Sequence, residues 1–305
     1  MSKNAIEIKD LQKGYSKDKA VLNGLDMNIP EGSIYGFIGR NGAGKSTTLN
    51  TLMGLLKPWS GRVEILGEDP WGLPVSTKRR IAYVPEVSFH FQWLNVMESL
   101  AYIAQFYPEW KQALAEEMLN ALDISPDKKI TELSLGQTRS VSIIAAICCN
   151  PDLLILDEPS GNLDVIARRL FQNYIIDFMR QDNKTVLISS HVLTDLERII
   201  DNIGIIRNGR MIVEGELDSL KEKTHKLRLV YDDEPPRDFD IPDIISKEYF
   251  ASEVRIVLSG LDEERLPSYQ CIARARKVEI QPMSLEDIFV AYYSLGDGDT
   301  AGENR

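Results

Sequence analysis

The chain has 305 residues, of which 46 are Asp or Glu and 35 are Lys or Arg, so its formal net charge is −11. With 43% hydrophobic residues it is expected to form one large globular core and a small second one, which excludes fibrous and disordered classes. The charge repels a phosphodiester backbone, and the longest apolar run, residues 143–149, is too short to cross a bilayer. We therefore expect a soluble intracellular protein and no nucleic-acid partner.

The N-terminal region carries the pattern of half-buried antiparallel strands. Ile6 and Ile8 alternate with polar residues, residues 22–29 do so less regularly, and Val63 and Ile65 indicate a further strand. Farther along, residues 153–156 and 186–188 are fully apolar, which is typical of parallel strands covered on both faces. Together these runs predict a mixed α/β core.

Residues 39–46 read Gly-Arg-Asn-Gly-Ala-Gly-Lys-Ser, a complete G-x-x-x-x-G-K-[ST] loop between an apolar stretch and a helical pattern. Glycines allow backbone N–H groups to surround phosphates, Lys45 adds positive charge, and the Ser46 hydroxyl reaches Mg²⁺. The loop predicts a nucleoside triphosphate site, with a tight strand-to-helix connection as the alternative. The residues expected to contact the nucleotide are Gly39, Asn41, Gly42, Ala43, Gly44, Lys45, Ser46 and Thr47.

Residues 96–122 have helical spacing that breaks at Pro108, which predicts a helical insertion. Beyond it, Ser134-Leu135-Gly136-Gln137 opens an apolar helix, so a hydroxyl, backbone N–H groups and a helix dipole converge on one point. This arrangement suits an anion. In isolation, an ordinary capped helix is the better explanation of the same residues.

Two carboxylates follow the apolar run at residues 153–156, at the end where α/β sheets present ligands. Asp157 is expected to help hold Mg²⁺. Successive side chains of an extended chain point in opposite directions, so Glu158 is the candidate that polarises the attacking water. A solvated strand end is the alternative.

After about residue 224 the composition shifts to acids and prolines, through Asp243, which predicts a linker or loop. Strand patterns at 227–231 and 254–258 and a helix that opens at Ser284 then predict a small second domain over residues 225–295. The Gly-, Asp- and Glu-rich residues 296–305 are expected to form a flexible tail.

In this order, the motifs resemble those of the nucleotide-binding subunit of ABC (ATP-binding cassette) transporters over about residues 3–224. Tyr15 resembles that family's adenine-stacking aromatic, and His191 its switch histidine. Residues 39–47 match its Walker A motif, 133–137 its signature, 153–158 its Walker B motif and 161–164 its D-loop. The resemblance implies an α/β P-loop NTPase fold with a mixed-sheet core, an antiparallel β subdomain, a helical subdomain at about 88–150 and a small α/β C-terminal accessory domain.

The resemblance also implies a head-to-tail dimer, of identical chains or of paralogues, in which ATP lies between the Walker A loop of one chain and the signature of the other. Across that interface the expected contacts come from Ser134, Gly136 and Gln137. Within one chain, Lys45 and Ser46 would bind phosphate and metal, Glu158 would act as the base, and His191 would hydrogen-bond the γ-phosphate.

The chain departs from the family at two positions. Glu86 stands where the family usually has a Gln that contacts Mg²⁺ and the attacking water; Glu can also ligate the metal but adds negative charge. Leu135 stands where the commonest signature has Gly, and because Leu resists positive φ, we expect ordinary backbone geometry there.

A subunit of this family docks on a separate integral membrane permease, which would place the chain at the cytoplasmic face of the cell membrane. The aromatic segment at residues 89–94 is the candidate docking surface, although its rings could equally fill the helical core. Residues 283–289 and 106–110 resemble drug- and antibiotic-peptide exporters of the ABC-2 type. The alternatives are an importer ATPase with a regulatory C-terminal domain and a soluble, non-transport ABC ATPase.

Overall fold

The computed structural model describes residues 3–16, 19–87, 91–237, 239, 241–261 and 265–294. The chain divides into two compact units, and the boundary lies between Glu214 and Gly215. This boundary is ten residues before the cassette end that the sequence predicts at residue 224. Phe89 and His90, and the tail expected at 296–305, lie outside the described residues. Within the described ranges, none of the helices combines the length and hydropathy that a membrane span requires.

The first unit contains nine strands, seven α-helices and two short 3₁₀ helices in the part of it that the structure describes. The strands are β1 (Asn4–Ser16), β2 (Lys19–Pro30), β3 (Ile34–Ile38), β4 (Ser60–Ile65), β5 (Ile81–Val84), β6 (Leu153–Asp157), β7 (Thr185–Ser190), β8 (Asn202–Arg207) and β9 (Arg210–Glu216), the last of which runs past the boundary. The helices are α1 (Lys45–Leu52), α2 (Val75–Lys78), α3 (Val96–Ala104), α4 (Gln112–Ala121), α5 (Leu135–Cys148), α6 (Val165–Met179) and α7 (Leu193–Leu196).

A six-stranded sheet with the order β5-β6-β7-β3-β8-β9 forms the centre of this unit. The neighbouring strands from β5 to β8 run parallel, with Ile38 beside Ser190 and Asp157 beside Ser189. Every residue of β6 and β7 is buried, which confirms the expectation from their apolar runs, and every residue of β3 is buried as well. The carboxyl ends of these three strands therefore meet at one edge of the sheet.

A three-stranded antiparallel sheet with the order β2-β1-β4 supports the same region. Its apolar side chains, such as Ile8 and Leu25, share one hydrophobic cluster with Phe37 of β3 and Leu49 of α1. The alternation of apolar and polar residues thus produces a sheet with one buried face, packed against the strand and helix that flank the phosphate loop.

The helical region lies between β5 and β6 in the chain. Helices α3 and α4 are separate, with Pro108 in the connection, as their spacing predicts. Asn95 caps α3: it accepts a hydrogen bond from the Glu98 N–H at 2.7 Å, while the Glu98 side chain accepts one from the Asn95 N–H. Helix α5 packs against α3, α4 and β5, so the helix that begins at the signature residues contacts the central sheet.

The second unit is a small α/β domain with its own core. It contains α8 (Leu217–Lys223), β10 (Thr224–Val230), β11 (Ile244–Tyr249), β12 (Glu253–Ser259), α9 (Leu266–Ala273), β13 (Lys277–Gln281) and α10 (Leu285–Ser294). The four strands form an antiparallel sheet in the order β11-β12-β10-β13. Leu229, Ile256 and Tyr269 lie in its hydrophobic core.

Candidate ATP site

The phosphate loop leaves the carboxyl end of β3 and turns into α1. Gly44 has a φ of 118°, and a Cβ on it would lie 2.7 Å from the Leu22 side chain. A Cβ on Gly39 would approach Ile206 just as closely. Glycine is therefore required at both ends of the loop, for its backbone freedom at residue 44 and for close packing at both positions. The resulting loop precedes a helix N-terminus, the arrangement that favours a phosphate.

Lys45 is the first residue of α1 and only 6% exposed. Its ammonium group donates a hydrogen bond to the Gly39 carbonyl at 2.7 Å and lies 3.2 Å from Glu158 Oε1. The loop therefore holds its own lysine in place, and the nearest counter-charge is the carboxylate at the end of β6.

The two carboxylates at the end of β6 have different surroundings. Asp157 is 2% exposed and accepts a hydrogen bond from the Ser189 hydroxyl. Glu158 donates its N–H to the Ser189 carbonyl at 3.0 Å, and its φ of 50° lies in the left-handed region, which is uncommon for residues other than glycine. The backbone thus changes direction between them, and β7 helps to hold both.

Glu158 also contacts His191, which follows β7. The His191 N–H donates to Glu158 Oε2 at 3.2 Å, and Nδ1 lies 2.8 Å from the same oxygen. The other carboxylate oxygen, Oε1, is buried, and among the described residues its contact is the ion pair with the Lys45 ammonium at 3.2 Å, without a hydrogen bond of good geometry. This oxygen is therefore well suited to accept a hydrogen bond from a water molecule. The γ-phosphate contact expected for His191 stays a prediction.

The oxygen donors here fit a magnesium ion. Mg²⁺ prefers carboxylate, hydroxyl and phosphate oxygens and usually retains several waters. Asp157 and the half-buried Ser46 offer such oxygens near the phosphate loop. Glu86 follows β5, and its side chain is exposed, so its predicted role in metal binding stays a prediction.

Tyr15 lies beside α1, at the side of the phosphate loop. Its hydroxyl is 3.2 Å from Thr47 Oγ1, and its ring is largely exposed. One hydrogen bond thus holds the phenol next to the loop while most of its surface remains open to solvent. Such a ring is available for stacking on a base, the role that the sequence predicts.

The signature residues form the beginning of α5. Ser134 accepts a hydrogen bond from the Gln137 N–H at 3.1 Å, and the Gln137 side chain accepts one from the Ser134 N–H, which is a capping box. Leu135 is 76% exposed and helical, so the expectation of ordinary backbone geometry is confirmed. A Cβ on Gly136 would lie 2.5 Å from the Asn162 carbonyl, so the signature and D-loop turns touch within one chain.

Sequence reasoning missed Arg139, which lies on α5 and is only 4% exposed. Its guanidinium donates hydrogen bonds to main-chain carbonyls of Pro85, Glu86 and Asp157. An arginine directly before the apolar part of α5 was the available signal, because a charged side chain is rarely buried without partners.

Comparison with known proteins agrees with this geometry. Residues 22–161 match the family model described as "ABC transporter". The chain is 37% identical over 223 residues to the bacitracin transport ATP-binding protein of Bacillus licheniformis, covering 72% of each chain. It is 30% identical over 297 residues to the Nod factor export ATP-binding protein I of Burkholderia orbicola, covering 95% of this chain and 97% of the other.

A solved structure described as an ATP-binding subunit of an ABC transporter superimposes with a TM-score of 0.65 at 30% identity, covering 72% of this chain and 92% of the other. The central sheet, the complete phosphate loop and the relatives lead to one conclusion. The chain belongs to the family of ABC transporter ATP-binding subunits, which bind and hydrolyse ATP.

Proposed function

We propose that this chain hydrolyses ATP as a Mg²⁺-dependent dimer and thereby drives export through a separate membrane permease. The observation that carries the proposal is the contact of Glu158 with both Lys45 and His191 at the carboxyl edge of the sheet. A carboxylate held between a phosphate-loop lysine and a histidine has the surroundings expected of a group that orients an attacking water.

Each residue has a distinct role in this proposal. Lys45 and the loop N–H groups bind the phosphates, while Ser46 and Asp157 hold Mg²⁺, to which Glu86 can contribute. When bound, Mg²⁺ neutralises charge that develops on the phosphate oxygens. Glu158 accepts the proton of the attacking water, and His191 orients Glu158 through two contacts to Oε2.

The dimer is proposed because the signature residues face solvent and bond to their own helix. Ser134 is exposed, and its contacts run to Gln137 and Thr138 of α5. A helix N-terminus with an exposed hydroxyl can bind the phosphate of an ATP held by a second chain. The second chain is either a copy of this one or a paralogue.

Export is favoured over import by the Nod factor relative, which matches along almost its whole length and therefore includes a counterpart of the second unit. The bacitracin transport relative agrees with a cargo of the antibiotic-peptide kind. An importer ATPase with a regulatory C-terminal domain and a soluble ABC ATPase remain the competing functions.

We propose that the permease docks on an aromatic cluster in the helical region. The cluster consists of Phe91, Trp93, Tyr102 and Phe106. The ring centroid of Phe91 lies 5.0 Å from that of Trp93 and 5.1 Å from that of Tyr102, and the centroids of Tyr102 and Phe106 are 5.5 Å apart. All four are at least 40% exposed, and Trp93 is 74% exposed. Rings that touch one another but remain open to solvent suit an interface better than a core.

The proposal is tested by affinity purification of the Glu158→Gln protein from detergent-solubilised native membranes with ATP and Mg²⁺. We expect a multi-span membrane protein to co-purify. That result would support a location of this chain at the cytoplasmic face of the cell membrane. Trp93→Ala should reduce its recovery, whereas Tyr249→Ala, an exposed aromatic of the second unit, should not. Recovery of ribosomal proteins or DNA-repair factors instead would contradict the transport function.

A further inference from the structure

Arg139 connects three segments of the ATP site. Its Nη1 donates to the Pro85 carbonyl and to the Glu86 carbonyl, the latter at 3.3 Å, while Nη2 donates to the Asp157 carbonyl. Strands β5 and β6 are adjacent, with Val84 beside Leu156. The planar guanidinium therefore spans the gap just beyond the ends of both strands, and its stem belongs to the helix that begins at the signature.

The charge of Arg139 faces acidic groups of the site. Burial lowers the pKa of its guanidinium, and the neighbouring charges of Asp157, Glu86 and Glu158 oppose that effect. Arginine remains protonated in proteins even when its pKa falls. A permanent positive charge is thus enclosed near the carboxylates that surround the phosphate loop.

We propose that Arg139 is a positioning residue for ATP hydrolysis, one that holds the Glu86 segment against the end of β6 and balances the charge of Glu86. This inference rests on the proposed function. It also explains how the chain can have Glu where the family usually has Gln, because a fixed cation hydrogen-bonds to the carbonyl of that same residue and attracts its added negative charge. The planar guanidinium of arginine can donate hydrogen bonds to two strands at once, whereas the ammonium group of lysine acts as a point charge.

The chain offers a matched control in Lys184, another buried cation that donates to main-chain carbonyls. Its Nζ donates to the Asn150 carbonyl at 3.0 Å and to the Pro151 carbonyl at 2.9 Å. Those carbonyls precede β6, at the end of the strand opposite to Asp157. Lys184→Gln therefore removes a similar buried contact from the same strand, far from the ATP site.

The experiment compares kcat, KM for ATP and Tm of the purified Arg139→Gln, Arg139→Lys and Lys184→Gln proteins. Misplacement of reacting groups lowers turnover steeply, so we expect Arg139→Gln to lower kcat about 10- to 100-fold while KM changes less than about threefold. Arg139→Lys keeps the positive charge but loses the planar guanidinium, so its kcat should lie between those of the wild type and Arg139→Gln. Lys184→Gln should lower Tm and leave kcat close to that of the wild type.

If Arg139→Gln does not fold, Arg139→Lys provides the same test through its own kcat and KM. A wild-type kcat in Arg139→Lys, or a loss no larger than that of Lys184→Gln, would overturn the inference.

A double-mutant cycle of Arg139→Gln with Glu86→Gln tests whether Arg139 balances the charge of Glu86. Arg139→Gln should lower kcat less when residue 86 is neutral. Equal cost in both backgrounds would overturn the charge balance. A wild-type protein without ATPase activity would overturn the proposed function too, whereas an active wild type with active Arg139 variants overturns only this inference.

Discussion

The two halves of the candidate ATP site differ in how far one chain completes them. On the phosphate side, Lys45, Asp157 and Glu158 are all at most 11% exposed and are held by bonds to one another or to β7. On the signature side, Ser134 and Leu135 face solvent and bond within α5. The parallel sheet thus assembles the proposed catalytic half within one chain, while the other half is the surface that we propose a second chain uses.

The largest effect is expected on the phosphate side, from Glu158→Gln. Loss of a general base lowers turnover by about 10² to 10⁴ fold, so hydrolysis should nearly vanish. ATP binding should persist because Lys45 and the loop are unchanged, and the protein should remain a dimer on size-exclusion chromatography with ATP and Mg²⁺. Glu31→Gln, which alters a surface ion pair with Lys3, is the control. A fully active Glu158→Gln would show that this carboxylate is not the base.

Lys45→Ala should affect binding rather than chemistry alone. It removes the buried cation that we propose binds phosphate, and a hydrogen bond to a charged group is worth about 1.5–3 kcal/mol. We expect ATP affinity to fall by up to about 100-fold, measured by isothermal titration calorimetry. Lys9→Ala, which removes an exposed partner of Glu7, should bind as the wild type does. Affinity within a few fold of wild type in Lys45→Ala would contradict the assigned role.

The phosphate side could be predicted from sequence because its first part is contiguous. Residues 39–46 specify the loop, and the apolar run before Asp157 places that carboxylate at a strand end. The contact between His191 and Glu158 joins residues 33 apart, and it depends on the order of β6 and β7 in the sheet. Local pattern alone does not determine that order.

Other elements of the structure were not predicted from the sequence, for different reasons. Strands β8 and β9 were not predicted, although the Asn208-Gly209 pair between them is a hairpin signal and has positive φ at both residues, as a tight hairpin requires. Arg139 bonds to residues 54 and 18 positions away, so its role becomes visible only when α5 packs on the sheet. Local sequence patterns therefore give the least information about the long-range contacts of buried polar groups.

Ser134→Ala tests whether the exposed signature does more than cap its own helix. Loss of an N-cap costs about 1 kcal/mol, and Asn95→Ala removes a capping box of the same type from α3. Both variants should therefore lose similar stability in chemical denaturation. Only Ser134→Ala should also weaken ATP-dependent dimerisation, by about tenfold if one charge-assisted hydrogen bond to phosphate is lost. Equal dimerisation of the two variants would assign Ser134 a structural role alone.

Glu86→Gln is expected to have the smallest effect, at the point where the helical region meets the phosphate side. A negative charge about 4 Å from a phosphate costs at most about 4 kcal/mol at an effective dielectric constant of about 20, and both Mg²⁺ and the exposed position of Glu86 reduce that cost. The wild type should therefore depend more steeply on Mg²⁺ than Glu86→Gln does, which a titration of ATPase rate against free Mg²⁺ measures. Glu116→Gln on α4 should match the wild type. Equal Mg²⁺ dependence in the wild type and Glu86→Gln would mean that the carboxylate of Glu86 stays away from the metal throughout turnover.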